Sequence, residues 1–302
     1  MWNQIAAHIS EITAENFQIE NRRSVSGGCI NQGYAISNSS RTYFAKLNQA
    51  SQIAMFEAEA LGLQQMLETK TIRVPKPICW GTAGNSAYIV LEWLDLGGRG
   101  GDRPWAEMGR KLAEMHRYTP QGGHGGTAPT KGGKEADFGW DINNTIGSTP
   151  QINNWTEDWA EFWAEHRIGY QLKLGKRRGG NFPRSETLLT AIPKLLEGYK
   201  PQPSLVHGDL WGGNAAVTEE GEPVIFDPAT YWGDREVDLA MTELFGGFSG
   251  AFYRSYNETW PLDSGYQKRK ILYNLYHILN HFNLFGGGYE SQANQMINRI
   301  LS

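Results

Sequence analysis

The stretch His207-Gly208-Asp209-Leu210-Trp211-Gly212-Gly213-Asn214, followed by Val224-Ile225-Phe226-Asp227-Pro228, restricts the possible folds of this chain more than any other feature. Residues 215–226 between them read as a hairpin, with Glu220-Gly221-Glu222 in its turn. A hairpin returns its two ends to one place, so Asn214 and Asp227 should sit side by side. One amide oxygen and one carboxylate converging in this way suit a hard cation such as Mg²⁺. Asp209 shares the loop with Asn214 but is not needed for metal. It is free to orient a substrate hydroxyl and accept its proton.

This H-x-D-x4-N pattern, with an aspartate after a short hairpin, matches phosphoryl transfer in protein kinases and their small-molecule relatives. Such chemistry needs further parts upstream, and candidates for them exist. Lys46 alternates with Thr42 and Phe44 on one face of the strand candidate 41–47, from which it could reach phosphate oxygens. Apolar residues at Ile53, Phe56, Ala60, Leu63 and Leu67 predict a helix over 53–67. Glu57 and Glu59 on that helix could each hold Lys46. At about 100° per residue, Glu59 falls in the apolar arc with Phe56, Leu63 and Met66, whereas Glu57 lies on the wet face. A carboxylate on an apolar arc is costly unless paired, which selects Glu59. Gly27, Gly28 and Gly33 precede the lysine strand, where backbone N–H groups would cover phosphates. Glu92, Trp93 and Leu94 follow the apolar strand candidate 87–91, where backbone groups would read an adenine.

The first 95 residues read as helix, glycine-rich hairpin, strand, helix and strand, with Val74-Pro75-Lys76-Pro77 as an extended loop. Composition turns flexible at Leu96-Gly97-Gly98-Arg99-Gly100-Gly101, and beyond it the chain becomes mostly helical. Helices are predicted over 105–116 and 271–285, with an aromatic helical stripe at Trp159, Phe162, Trp163, His166 and Tyr170. Core packing is the commoner use of such a stripe, ahead of stacking on a ligand. Residues 121–134 read as a mobile surface loop. The expected fold class is therefore α+β and two-lobed. An antiparallel-sheet N-lobe over 1–95 binds nucleotide, and a larger, mostly helical C-lobe over 96–302 carries the catalytic loop.

A formal charge of −4 gives no reason to expect a nucleic-acid or anionic-membrane partner. No apolar run approaches the ~18 residues of a membrane span. Residues 1–17 read as an amphipathic helix without the basic cluster of a secretory signal. Two cysteines, Cys29 and Cys79, cannot form a disulfide framework, so a reducing cytoplasm is the expected location.

The catalytic segment, with Phe226-Asp227-Pro228 and 232–240 (W-G-D-R-E-V-D-L-A), resembles the fructosamine (ketosamine) kinase family. That family belongs to the aminoglycoside- and choline-kinase branch of the protein-kinase-like fold. Residues 27–30, 55–60 and 144–151 (N-T-I-G-S-T-P-Q) extend the likeness along nearly the whole chain. The resemblance implies ATP- and Mg²⁺-dependent phosphorylation of the 3-hydroxyl of a sugar joined through C1 to a free or protein-bound amine. Phosphate at O3 leaves readily once the enaminol forms, so the adduct decomposes and glycation damage is repaired. Carried over by position, Asp209 accepts the proton, Asn214 and Asp227 hold metal, and Lys46 with Glu59 positions ATP. Glu92, Trp93 and Leu94 line the adenine hinge. His207 and Asp238 belong to the structural support of the catalytic loop.

Glycine at 208 stands where protein kinases usually carry arginine, and Pro228-Ala229 follows Asp227 in place of D-F-G. Control by activation-loop phosphorylation is not expected. Trp211 is a candidate for packing the acceptor's sugar. Asp234 and Glu236 could bind acceptor hydroxyls or, equally, brace the loop. Cys29, among phosphate-cradling N–H groups, is a candidate redox switch, acting in a monomer or through a disulfide-linked dimer. An inert buried thiol is its alternative. The rival functions are a kinase of an aminoglycoside, choline or other amino-alcohol, a nucleotide-binding pseudokinase, and a metal-dependent phosphohydrolase.

Overall fold

Alternation along the Lys46 strand sorts the N-terminal lobe into layers. The computed structural model describes residues 1–25, 30–98, 101–119 and 137–302; Gly27, Gly28, Cys29 and the stretch 121–134 lie outside them. Helix α1 (Trp2–Thr13) leads to β1 (Asn21–Val25), β2 (Gln32–Ser37) and β3 (Thr42–Gln49). Helix α2 (Ile53–Glu68) and the pair β4 (Pro77–Ala83) and β5 (Ser86–Glu92) complete the lobe. The strands form one antiparallel sheet in the order β1-β2-β3-β5-β4. Tyr43, Ala45 and Leu47 pack with Ile5, Ile9 and Phe17 on the α1 side. Phe44 and Lys46 point the other way, toward α2, whose Phe56, Ala60 and Leu63 join a core shared with the second lobe.

The extended reading of Val74–Pro77 misses strand β4. Pro77 opens it at the sheet edge, a position where a residue without an N–H is tolerated.

Past β5 the chain crosses to helix α3 (Asp102–Arg117) and, further on, the small hairpin β6 (Asn144–Ile146) and β7 (Thr149–Gln151). Helices α4 (Trp159–Phe162) and α5 (Tyr170–Arg177) are joined by a π-helical segment, Trp163–Gly169. Then come α6 (Ser185–Leu195), β8 (Pro203–Val206), the hairpin β9 (Ala215–Val217) and β10 (Pro223–Ile225), and β11 (Tyr231–Asp234). Helices α7 (Glu236–Leu244), α8 (Gly250–Thr259), α9 (Tyr266–Phe285) and α10 (Tyr289–Ile300) close the fold. Trp159, Phe162 and Trp163 of the aromatic stripe are core, packed against Tyr231 and Tyr273. The π-helical turn carries the buried Arg167 guanidinium 4.1 Å from the Tyr231 ring centre and 4.6 Å from that of Phe162. Arg167 donates to the Ile152 carbonyl and Asn153 Oδ1 at 2.5 and 2.8 Å.

Residues 96–98, expected to be flexible, are bonded to the β9–β10 hairpin. The N–H groups of Gly97 and Gly98 donate to the Val217 carbonyl at 3.2 and 3.1 Å. A Cβ at position 98 would lie 1.9 Å from the Thr218 carbonyl oxygen. Glycine is present there because two backbones touch. No helix among the described residues is long and apolar enough to cross a membrane.

Candidate active site

Strand β8 delivers the chain to His207, which is fully buried. The Asp209 N–H donates to its Nδ1 at 3.2 Å, so the neutral ring carries its proton on Nε2 and donates to the Phe226 carbonyl at 2.9 Å. Burial holds the imidazole below its ordinary pKa, which keeps that neutral form. Asp238, in the first turn of α7, accepts the N–H groups of His207 and Gly208 at 2.7 and 2.8 Å and His116 Nε2 at 3.0 Å. Burial works against its charge, yet these donors together hold its carboxyl below the usual range. Gly208 has φ +81°, and a Cβ there would sit 2.2 Å from the Ala229 carbonyl oxygen. An arginine cannot occupy this position.

The β9–β10 hairpin pairs Ala215 with Ile225 and brings Asn214 beside Asp227. Asn214 Nδ2 donates to the Asp209 carbonyl at 2.9 Å and to its Oδ2 at 3.3 Å, and lies 3.5 Å from the Asp227 carbonyl. With Nδ2 committed, Oδ1 is the atom of Asn214 left to face a cation. Asp227 is held at φ +58°, a left-handed conformation that aspartate tolerates better than most residues. Lys46 Nζ meets its carboxylate and also donates to Glu59 Oε1 at 2.6 Å, while Glu57 is exposed. Burial alone would lower the Lys46 pKa, but the charges of Asp227 and Glu59 outweigh it and hold the ammonium above its ordinary value. Burial also pushes the Glu59 carboxyl up, against the pull of Lys46.

Asp209, Asn214, Asp227, Lys46 and Glu59 thus form one cluster where the lobes meet. Burial and the charge of Asp227 push Asp209 up to about 7, while the Asn214 hydrogen bond pulls the other way. A carboxylate poised near neutrality suits a group that accepts a hydroxyl proton. Asn214 Oδ1 and the Asp227 carboxylate, both hard oxygens on a rigid hairpin base, fit a magnesium ion that takes its remaining ligands from phosphates and water.

Trp211 is exposed and lies over Gly213, where a Cβ would come within 2.3 Å of its ring. The Glu92 side chain, expected at the adenine hinge, is engaged by its own lobe. It accepts from Arg73 Nη2 at 2.5 Å and the Lys76 N–H at 3.2 Å, and the Glu92 N–H donates to the Lys76 carbonyl at 2.8 Å. Trp93 Nε1 donates to Asp95 Oδ1 at 2.7 Å, with the Arg23 guanidinium 5.0 Å from its ring centre; Leu94 beside it is half-buried.

Asp234 and Glu236, read equally as acceptor ligands or as a bracing pair, do not reach the surface of the cleft. Both are fully buried. Tyr273 donates to Asp234 Oδ2 at 2.6 Å, and Arg269 grips Glu236 with two bonds of 2.7 and 2.8 Å. Asp234 pairs with Pro203 at the end of β8 remote from His207. These acids tie the end of β11 and the start of α7 to α9, the bracing alternative. Cys79 is buried and its thiol is pushed up to about 12, which makes it inert.

Sequence reasoning missed the side-chain amides that anchor the segment after Asp227. Asn144 Nδ2 donates to the Thr230 carbonyl at 2.8 Å, Gln151 Nε2 to the Ala229 carbonyl at 3.0 Å, and Tyr276 to Gln151 Oε1 at 2.6 Å. The N-T-I-G-S-T-P-Q stretch contains both amides, but spacing alone does not reveal their partners.

The chain is similar along nearly its whole length to known proteins. The fructosamine kinase family model matches residues 1–302. A Synechocystis protein named "Probable ketoamine kinase" is 56% identical over 300 residues, covering 99% of this chain and 97% of its own. The chloroplastic protein-ribulosamine 3-kinase of Arabidopsis thaliana is 46% identical, covering 94% of this chain and 83% of its own. A crystal structure from Haemophilus somnus, provisionally named fructosamine-3-kinase, superposes with a TM-score of 0.89 at 31% identity, covering 100% of this chain and 98% of the other.

Proposed function

The chain belongs to the fructosamine kinase family, and from that premise we propose that its interlobe cluster phosphorylates the 3-hydroxyl of a ketosamine with ATP. The role is deglycation: an amine blocked by a sugar is marked for release. Asp209 orients the acceptor hydroxyl and takes its proton as the phosphoryl group is transferred. Lys46, steadied by Glu59, presents its ammonium to the nucleotide phosphates. Asn214 and Asp227 would hold a magnesium ion, which would supply positive charge to offset that of the nucleotide phosphates. Asp238 fixes the backbone on which Asp209 rides, and Trp211 offers a flat face to the sugar. The backbone of 92–94 reads the adenine.

The observation that carries this reading is the meeting of Asp209 with Asn214 beside a Lys46–Asp227–Glu59 ion-pair cluster. A coupled ADP-release assay with fructosamine, ribulosamine, choline and an aminoglycoside tests it. ADP should appear with a ketosamine and not with the other acceptors, and Asp209→Ala should abolish it. Release without any acceptor, or with choline alone, would contradict the reading.

A further inference from the structure

Trp211 does not stand alone on the surface. Its ring meets Phe245 edge-on at 6.5 Å between centres, and Phe245 meets His281 at 5.0 Å. His281 in turn meets Phe285 at 5.6 Å and Tyr289 at 5.1 Å. Trp211, Phe245 and Phe285 are 40%, 38% and 56% exposed, so the run is a surface strip and not a core cluster. It starts two residues from Asp209 and continues over the end of α7 and the last turns of α9. Burial holds the His281 ring below its ordinary pKa, and Nδ1 faces the His277 carbonyl at 2.8 Å, so the ring joins the strip as a neutral aromatic.

We propose that this strip, Phe245–His281–Phe285, binds the apolar substituent carried by the acceptor's amine and so sets which ketosamines are preferred. The inference rests on the ketosamine reading above. In such an acceptor the reacting O3 and the amine on C1 lie on neighbouring parts of one short sugar. With O3 at Asp209 and the sugar against Trp211, the nitrogen substituent leaves from the same end of the site. Flat exposed rings in a row recognise an aromatic or alkyl group by face and edge contacts, and each added ring contact strengthens binding. Every ring is about one ring-length from the next, so a longer substituent reaches further along the strip.

The probes are three synthetic fructosamines, made from methylamine, phenethylamine and 4-phenylbutylamine. Wild-type enzyme should use the two aryl substrates with kcat/KM about 2- to 10-fold above the methyl one. Phe245→Ala should collapse that ratio for both aryl substrates, and Phe285→Ala only for the longer one. Because both side chains are exposed, the variants should fold, and circular dichroism melting checks that they do. Equal kcat/KM for all three substrates in wild type, or ratios unmoved by both variants, would overturn the strip. Failure of wild type to phosphorylate any of the three compounds would instead overturn the ketosamine reading itself.

Discussion

At the scale of single residues, the choice between Glu57 and Glu59 shows how far helix geometry carries. Periodicity put Glu59 on the buried arc, and in the structure its Oε1 is 2.6 Å from Lys46 Nζ. Glu59→Ala should lower kcat about 100-fold by letting Lys46 drift, whereas Glu57→Ala should leave it within about twofold. Steady-state kinetics on both variants decide this, and the reverse ranking would contradict it. Gly208 gives a sharper stability test. Gly208→Ala combines a left-handed backbone with a clash against the Ala229 carbonyl and should cost about 2 kcal/mol or more. Gly221, also left-handed at φ +87°, has nothing within 4 Å of a built Cβ. Gly221→Ala should therefore cost only about 1 kcal/mol, as urea titration of both would show.

At the scale of elements, what could be read from sequence followed from pattern strength. The Lys46 strand, the Glu59 helix and the β9–β10 hairpin each carry a clean period or turn, and each forms close to its expected bounds. Helix α9 begins at Tyr266, five residues before the expected 271, because its first turn, Gln267-Lys268-Arg269-Lys270, is polar and carries no apolar stripe. Arg269 in that turn then holds Glu236, which explains why Glu236 looked like a free acid from sequence. No local pattern encodes a partner thirty-three residues away.

Helix α9 also makes a pH prediction. Burial drives His277 down to about 3. The unfolded chain protonates this ring below about pH 6.5, while the folded chain does not until far lower, so stability falls as pH falls through that window. Between pH 6 and 5, wild type should lose about 1 kcal/mol more stability than His277→Gln. Parallel slopes in paired urea titrations would contradict this.

At the scale of the whole molecule, the two lobes meet through charge as well as through apolar packing. Lys46 and Glu59 come from the sheet lobe and Asp227 from the other, so this ion-pair cluster exists only when both are in place. Saturating Mg-ATP at 100 times its Kd should stabilise the folded chain by about 2.7 kcal/mol. For a protein of this size that is a rise in Tm of about 4 °C. Asp227→Asn and EDTA should each remove most of the shift, and an undiminished shift in both would argue against a metal held at Asn214 and Asp227.

The central claim is that Asp209 prepares one particular hydroxyl for phosphoryl transfer. Phosphorus NMR of the product formed from ATP and a fructosamine tests it most directly. Wild type should give a single phosphomonoester resonance coupled to the proton on C3, and Asp209→Asn should give none over the same time. A phosphate coupled to another carbon, or the same signal formed at the wild-type rate by Asp209→Asn, would contradict the account.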